Sequence, residues 1–237
     1  MSTRRTLALF ALIGAGALAL AGCASSPATP SSSGSGAPVV GGELEVDAGW
    51  LDGGRMVALV TQGSSTCVPT ATDVTLQADG SVAVTLEDPA GNVACTRDYV
   101  PRASLVALPD GVNAGAELDL VVTYGEARGD TDLDAYSGAA VAEFSPSAGW
   151  IDDEQFAILT WGSSSCLPVV ESVAADTASS ATVVFAEPAA DQVCTMDMAP
   201  RVTLAQVDGV DDDNATVTLT GGGAEFATPV TIPIAGD

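Results

Sequence analysis

The chain of 237 residues contains no histidine, and all seven of its basic residues are arginine, so lysine is absent too. Those absences exclude histidine acid/base catalysis, histidine metal ligation, lysine Schiff bases and the phosphate-binding lysine of P-loops. Aromatic residues make up only 5% of the chain. Positive charge is scarce: 31 Asp and Glu leave a net charge of -24, which repels phosphate backbones and excludes nucleic acid as a partner. Beyond the first residues no segment sustains a 3.6-residue apolar period, so amphipathic helices are not expected. The length suffices for one or two domains, each with its own core.

What is present begins with an address. Arg4 and Arg5 precede an unbroken apolar or glycine run over residues 7–20. A comfortable membrane span needs about 20 residues, so this run suits the apolar region of a secretory signal. Leu20, Ala21, Gly22 and Cys23 follow at once. This tetrad resembles the lipobox of bacterial lipoprotein signals: an aliphatic residue, two small residues, then Cys. The resemblance covers residues 1–23 and implies a signal peptide over 1–22. It also implies acylation of the Cys23 thiol (palmitate being a typical chain) and cleavage before it. The acyl chains would hold the protein at the extracytoplasmic face of the cell membrane. The segment from Thr3 to Leu7 is also weakly similar to a twin-arginine signal, but Arg pairs are common in ordinary leaders. Cleavage removes two Arg and no acid, so the mature chain is still more acidic. That charge keeps it soluble and off anionic headgroups.

Residues 23–41 read as the lipidated Cys23 followed by a flexible linker rich in Ser, Pro, Gly, Ala and Thr. Such a stretch cannot bury enough apolar surface to offset the entropy of ordering. It would reach roughly 25 Å and lift a folded body off the bilayer.

The body is a duplication. Ala48, Gly49 and Trp50 return as Ala148, Gly149 and Trp150. The segment from Gly63 through Cys67 to Pro69 returns as Gly162 through Cys166 to Pro168. Cys95, Thr96 and Asp98, with Arg102, return as Cys194, Thr195 and Asp197, with Arg201. A period near 100 residues means tandem domains, expected over 42–138 and 139–237, because solenoid units run about 20–50 residues. With Cys23 assigned to lipid, four Cys allow three pairings. Equal spacing within each repeat favours Cys67–Cys95 and Cys166–Cys194 as structural bridges in an oxidising compartment.

Strands are expected throughout. Residues 56–61 and 156–161 are short apolar runs that suit buried strands. Residues 73–77 and 81–86 flank an Asp-Gly turn, a hairpin signature. Runs at 103–108, 118–123, 181–185, 202–207 and 215–220 complete the set. The fold class is therefore all-β, as two tandem β-sandwich or small-barrel domains with one disulfide each. Trp50 and Trp150 precede both Cys of their repeats, whereas an immunoglobulin domain places its core Trp between them.

Several residues are candidates for chemistry. The serines between Gly63 and Cys67, and between Gly162 and Cys166, lack a His or Lys base, so small residues turning the chain are the simpler reading. Asp98 with Arg102 and Asp197 with Arg201 stand four apart; they read as ion pairs pinning the segment after the second Cys, or as an arginine anion site. Trp50 and Trp150 read as core anchors, with an exposed sugar platform as the rival. Asp130, Asp132 and Asp134 alternate like the start of a calcium loop, but Ala135 and Val141 break that pattern. They and the run Asp211, Asp212, Asp213 are read as solvated acidic turns. No catalytic residue, metal ligand or cofactor is assigned.

The repeats are similar to domains of secreted lipoproteins of high-GC Gram-positive bacteria carrying W-G-S-S-S-C-x-P followed by C-T-x-D. Residues 161–168 fit this pattern, and Gln62 replaces the Trp in the first repeat. The resemblance implies class and location, not an activity. The expectation is a non-enzymatic lipoprotein that binds or organises the envelope, with the membrane and a cell-surface protein or glycan as partners. The rivals are a carboxylate-dependent hydrolase and a calcium-dependent adhesion module.

Overall fold

The computed structural model describes residues 42–210 and 214–236. Residues 1–41, and with them the signal-peptide, lipobox, Cys23 lipidation and linker readings, lie outside the described residues, as do Asp211, Asp212 and Asp213. Among the described residues no helix is long and apolar enough to cross a membrane.

The body is all-β, and the two repeats share one topology. The first contains β1 (Asp47–Leu51), β2 (Met56–Gly63), β3 (Thr70–Leu76), β4 (Val82–Glu87), β5 (Val100–Ala107), β6 (Leu118–Tyr124) and β7 (Ala127–Leu133). The second contains β8 (Ser147–Trp150), β9 (Gln155–Gly162), β10 (Val170–Thr177), β11 (Ser180–Phe185), β12 (Ala199–Gln206), β13 (Thr216–Gly221) and β14 (Phe226–Ala235). A three-stranded sheet β1-β2-β5 faces a four-stranded sheet β3-β4-β6-β7. The same two orders recur as β8-β9-β12 and β10-β11-β13-β14, joined at one edge where Ile234 and Ala235 of β14 pair with Ala148 and Gly149 of β8. In the first repeat that closing contact is a single bridge between Glu43 and Arg128. Each repeat is thus a sandwich with one edge drawn toward barrel closure.

Alternation explains the outer sheets. In β4, Val82, Val84 and Leu86 are buried while their neighbours are half-exposed, and β11 repeats this with Ala181, Val183 and Phe185. The inner strands β2 and β9 are apolar on both faces for a different reason. Val57 and Leu59 enter the first core and Phe156 and Ile158 the second. Ala58, Ala157 and Leu159 join Leu51 in a third cluster, with Leu105, Trp161, Val202 and Leu204 packed on it. The β1-β2-β5 and β8-β9-β12 strands therefore pack face to face, and the body has four layers built from three sheets, the seven-stranded one supplying two.

Two glycines let the repeats meet. A Cβ on Gly149 would lie 2.0 Å from the Trp50 carbonyl oxygen, and one on Gly49 would lie 2.3 Å from that of Trp150. Each repeat thus offers its glycine to the other's tryptophan backbone. Both tryptophans are buried, and the Trp50 indole N–H donates to the Asp134 carbonyl at 2.8 Å. The burial makes them core anchors and removes the exposed-platform reading.

Asp130 and Asp132 do not form a turn. They lie on the exposed face of β7, whose inward positions are Ala127, Gly129 and Leu133. Acidic residues on a strand's solvent side look like a loop in sequence because alternation is masked when the buried partners are Ala and Gly.

Candidate functional site

The repeated motif builds one surface structure twice. Cys67–Cys95 and Cys166–Cys194 are both bonded. Each bridge ties the loop after β2 or β9 to the segment that enters β5 or β12. Around the first bridge the Ser64 and Thr96 hydroxyls are 2.8 Å apart, and the Thr96 amide donates to the Thr66 hydroxyl at 3.0 Å. Ser163, Thr195 and Ser165 repeat this at 2.8 Å and 3.0 Å. The serines are thereby occupied in knitting two loops together.

The aspartates belong to this knot, not to the arginines. The Ser65 amide donates to Asp98 at 3.3 Å, and the Ser164 amide donates to Asp197 at 3.0 Å. Hydrogen bonds from Ser65 and Thr96 hold the Asp98 carboxyl down at about 2. The same donors, Ser164 and Thr195, hold Asp197 well below the usual carboxylate range.

Arg102 and Arg201 point the other way, into the body, and both are buried. Arg102 donates to the Cys67 carbonyl at 2.5 Å, to the Thr61 hydroxyl at 3.4 Å and to the Tyr124 hydroxyl at 3.3 Å. Arg201 donates to the Cys166 carbonyl at 3.1 Å and to the Thr160 hydroxyl at 3.0 Å, and pairs with Glu225. The expected Asp98–Arg102 and Asp197–Arg201 pairs are therefore not formed. The aspartates precede their strands in exposed loops, while the arginines occupy inward positions within β5 and β12. A spacing of four brings side chains together on a helix but not across a strand entry. The motif's glycine has its reason here as well. A Cβ on Gly63 would lie 2.5 Å from the Arg102 guanidinium carbon, and one on Gly162 would lie 2.9 Å from that of Arg201.

A concavity lies elsewhere, against the seam. It holds about 550 Å³ and is lined by Trp50, Asp52, Tyr136, Ser147, Ile234 and the connector between the repeats. Three of its polar residues, Asp52, Ser147 and Tyr136, are engaged with the protein itself. Asp52 accepts two bonds from Arg55 at 2.9 Å and 2.7 Å, and its backbone amide donates to the Ser147 hydroxyl at 2.9 Å. The Tyr136 hydroxyl donates to the Ala139 carbonyl at 2.7 Å, and burial pushes that phenol's pKa up. What remains to meet a ligand is alanine, proline and isoleucine together with Ser137, Ser145 and Asn214. A smaller cleft of about 180 Å³ is lined by Asp132, Asp134, Asp152 and Asp153, together with Trp50 and Trp150. Neither concavity is legible in the motifs. Both arise where connector, β1, β8 and the end of β14 converge.

Comparison with models of known protein families, with curated proteins and with solved structures finds no match.

Proposed function

We propose that the chain is a non-enzymatic lipoprotein, held through Cys23 at the extracytoplasmic face of the membrane, whose two β-repeats form a binding body. The observation that carries the binding reading is the seam cavity. Its volume falls in the range of small-molecule sites, about 300–1,000 Å³, and its walls combine apolar residues such as Ile234 and Pro146 with polar ones such as Ser137 and Asn214. Its one buried carboxylate, Asp52, is committed to an ion pair with Arg55. The reading therefore favours a partly apolar ligand or side chain over a reaction. The membrane anchor and a cell-surface protein or glycan are the partners this reading expects.

Nile red tests it. The expected result is fluorescence enhancement by the full chain, lost in Ala139→Trp, whose indole would fill the cavity, and retained in Ser65→Ala. No enhancement, or enhancement untouched by Ala139→Trp, would count against the cavity. Intact mass of membrane-extracted protein tests the anchor. A diacylated Cys23 supports it and an unmodified thiol removes it.

A hydrolase is the second reading, and the cleft between Asp132, Asp134, Asp152 and Asp153 favours it. Turnover of chromogenic glycosides, abolished by Asp134→Asn, would replace the binding reading.

A further inference from the structure

The two repeats differ at one matched place, and the difference leaves a pocket. In the parallel pair β4–β6, Leu86 stands opposite Tyr124; in β11–β13, Phe185 stands opposite Gly221. Glycine thus occupies the position of Tyr124, and Gly222 and Gly223 follow it. All three have positive φ, at 82°, 64° and 67°. A Cβ on Gly221 would lie 2.3 Å from the Phe185 carbonyl oxygen, so this chain path excludes any side chain there.

In the first repeat Tyr124 closes this corner. Its ring lies 5.5 Å from the Arg102 guanidinium carbon, and its hydroxyl donates to Asp88. In the second repeat a pocket of about 140 Å³ opens there. Its wall includes Cys166, Phe185, Glu187, Pro188, Gly222 and Phe226. Glu187 and Pro188 follow β11 just as Asp88 and Pro89 follow β4. Phe226 pairs with Gly221 where Ala127 pairs with Tyr124, and it stacks on Phe185 with ring centroids 5.3 Å apart. The second repeat therefore keeps an aromatic floor and a carboxylate rim; Glu225, also in the wall, caps the arginine, and among the described residues no ring lies over it.

Exposed apolar side chains flank this pocket beside the polar Glu187, Gln192 and Glu225. Leu167 and Val169, both in its wall, are exposed, as are Val193 and Met196 beside the disulfide. An exposed apolar rim around a ring-sized pocket is the form of an interface hot spot.

We infer that this pocket receives the phenol ring of a tyrosine from a partner polypeptide, which takes the place Tyr124 holds in the first repeat. The ring would stack on Phe226, its O–H would donate to Glu187, and the flanking residues of the partner would cover Leu167, Val169, Val193 and Met196. This site is separate from the seam cavity and stands or falls independently of it.

The test uses the full chain with methyl-labelled Leu, Val and Met, and a capped pentapeptide with tyrosine at its centre. Expected are shifts of the Leu167, Val169 and Met196 methyl signals. The phenylalanine analogue should bind about tenfold more weakly, as should the tyrosine peptide to Glu187→Ala, since each loses a hydrogen bond to a charged acceptor. Glu187 is exposed, so that variant should melt like the parent. Nile red enhancement should be unchanged by the peptide. Absence of shifts would overturn the site. Equal binding of phenylalanine or lysine analogues would overturn the phenol assignment. Binding of p-cresol as tight as that of the peptide would overturn the polypeptide partner.

Discussion

Arg102 and Arg201 occupy the same register, opposite Thr61 on β2 and Thr160 on β9, and both hold the carbonyl of a disulfide cysteine. Their outer partners differ. Arg102 lies under Tyr124, whose hydroxyl donates to Asp88; Arg201 pairs with Glu225, and its own Nε–H has no partner. A duplicated fold has kept the internal strut and changed the cap. A buried arginine inside a β-sandwich need not be an anion site. Here it is a brace between a strand and the loop that its disulfide closes.

The sharpest way to stress this comparison is to remove the bridges one at a time. The two loops have equal separations of 28 residues, so the chain-entropy model predicts equal losses of about 3.5 kcal/mol. Cys67 is buried whereas Cys166 is half-exposed, so the Cys67→Ala, Cys95→Ala double variant should lose about 1 kcal/mol more than its counterpart. Denaturant melts of the two double variants decide it, and equal midpoints would show that burial of Cys67 contributes nothing.

The arginines come next. Arg102→Gln should cost about 2–3 kcal/mol, because it strands the buried Cys67 carbonyl and removes the bonds to the Thr61 and Tyr124 hydroxyls. Arg201→Gln should cost about 1–2 kcal/mol. Glu225 is 31% exposed and regains water, and a buried N–H that has no partner disappears. The reverse order in thermal melts would show that the Glu225 pair outweighs the Tyr124 cap.

Tyr124→Phe should cost about 1 kcal/mol, since the ring stays packed while its hydroxyl bonds to Asp88 and Arg102 are lost. A cost near zero would mean that the ring alone caps Arg102.

The smallest effect is local and depends on pH. Asp98 and Asp197 both titrate below the ordinary value of 3.8, so the folded loops favour the charged form. That contribution is complete above about pH 4 and disappears as acid protonates the folded carboxyl. On acidification the Ser65 and Ser164 amides should both keep their hydrogen-bonded shifts until well below pH 3.8. Loss of either shift near pH 4 in a pH-resolved amide spectrum would show that the loop of that repeat does not favour the charged carboxyl.

Much of the fold was legible because its signals are local. The Asp79–Gly80 turn, the alternation through Val82, Val84 and Leu86, and the apolar runs in β2 and β9 identify strands without any knowledge of their partners. Strand β7 was misread as acidic turns because Asp130 and Asp132 carry its sequence signal while its buried face shows only Ala127, Gly129 and Leu133. The short strands β1 and β8 carry too few residues for a period to register. Of the site, the cysteines were legible. The aspartate–arginine pairing was not, because a strand entry turns Asp98 out and Arg102 in. The seam cavity and its Asp52–Arg55 lock were not legible either. Their linings come from β1, β8, β14 and the connector, segments far apart in the chain.

The sequence by itself determined the duplication, the pairing of the cysteines and the all-β class, since spacing and alternation are one-dimensional quantities. Tertiary structure alone decided what each shared residue does. It set Gly49 and Gly149 as the contacts between repeats and turned both arginines inward. It also left a pocket beside Gly221 where the first repeat buries Tyr124. The physical reason is that a side chain's role depends on which groups oppose it across a sheet or a seam, and those partners are set by packing, not by distance along the chain.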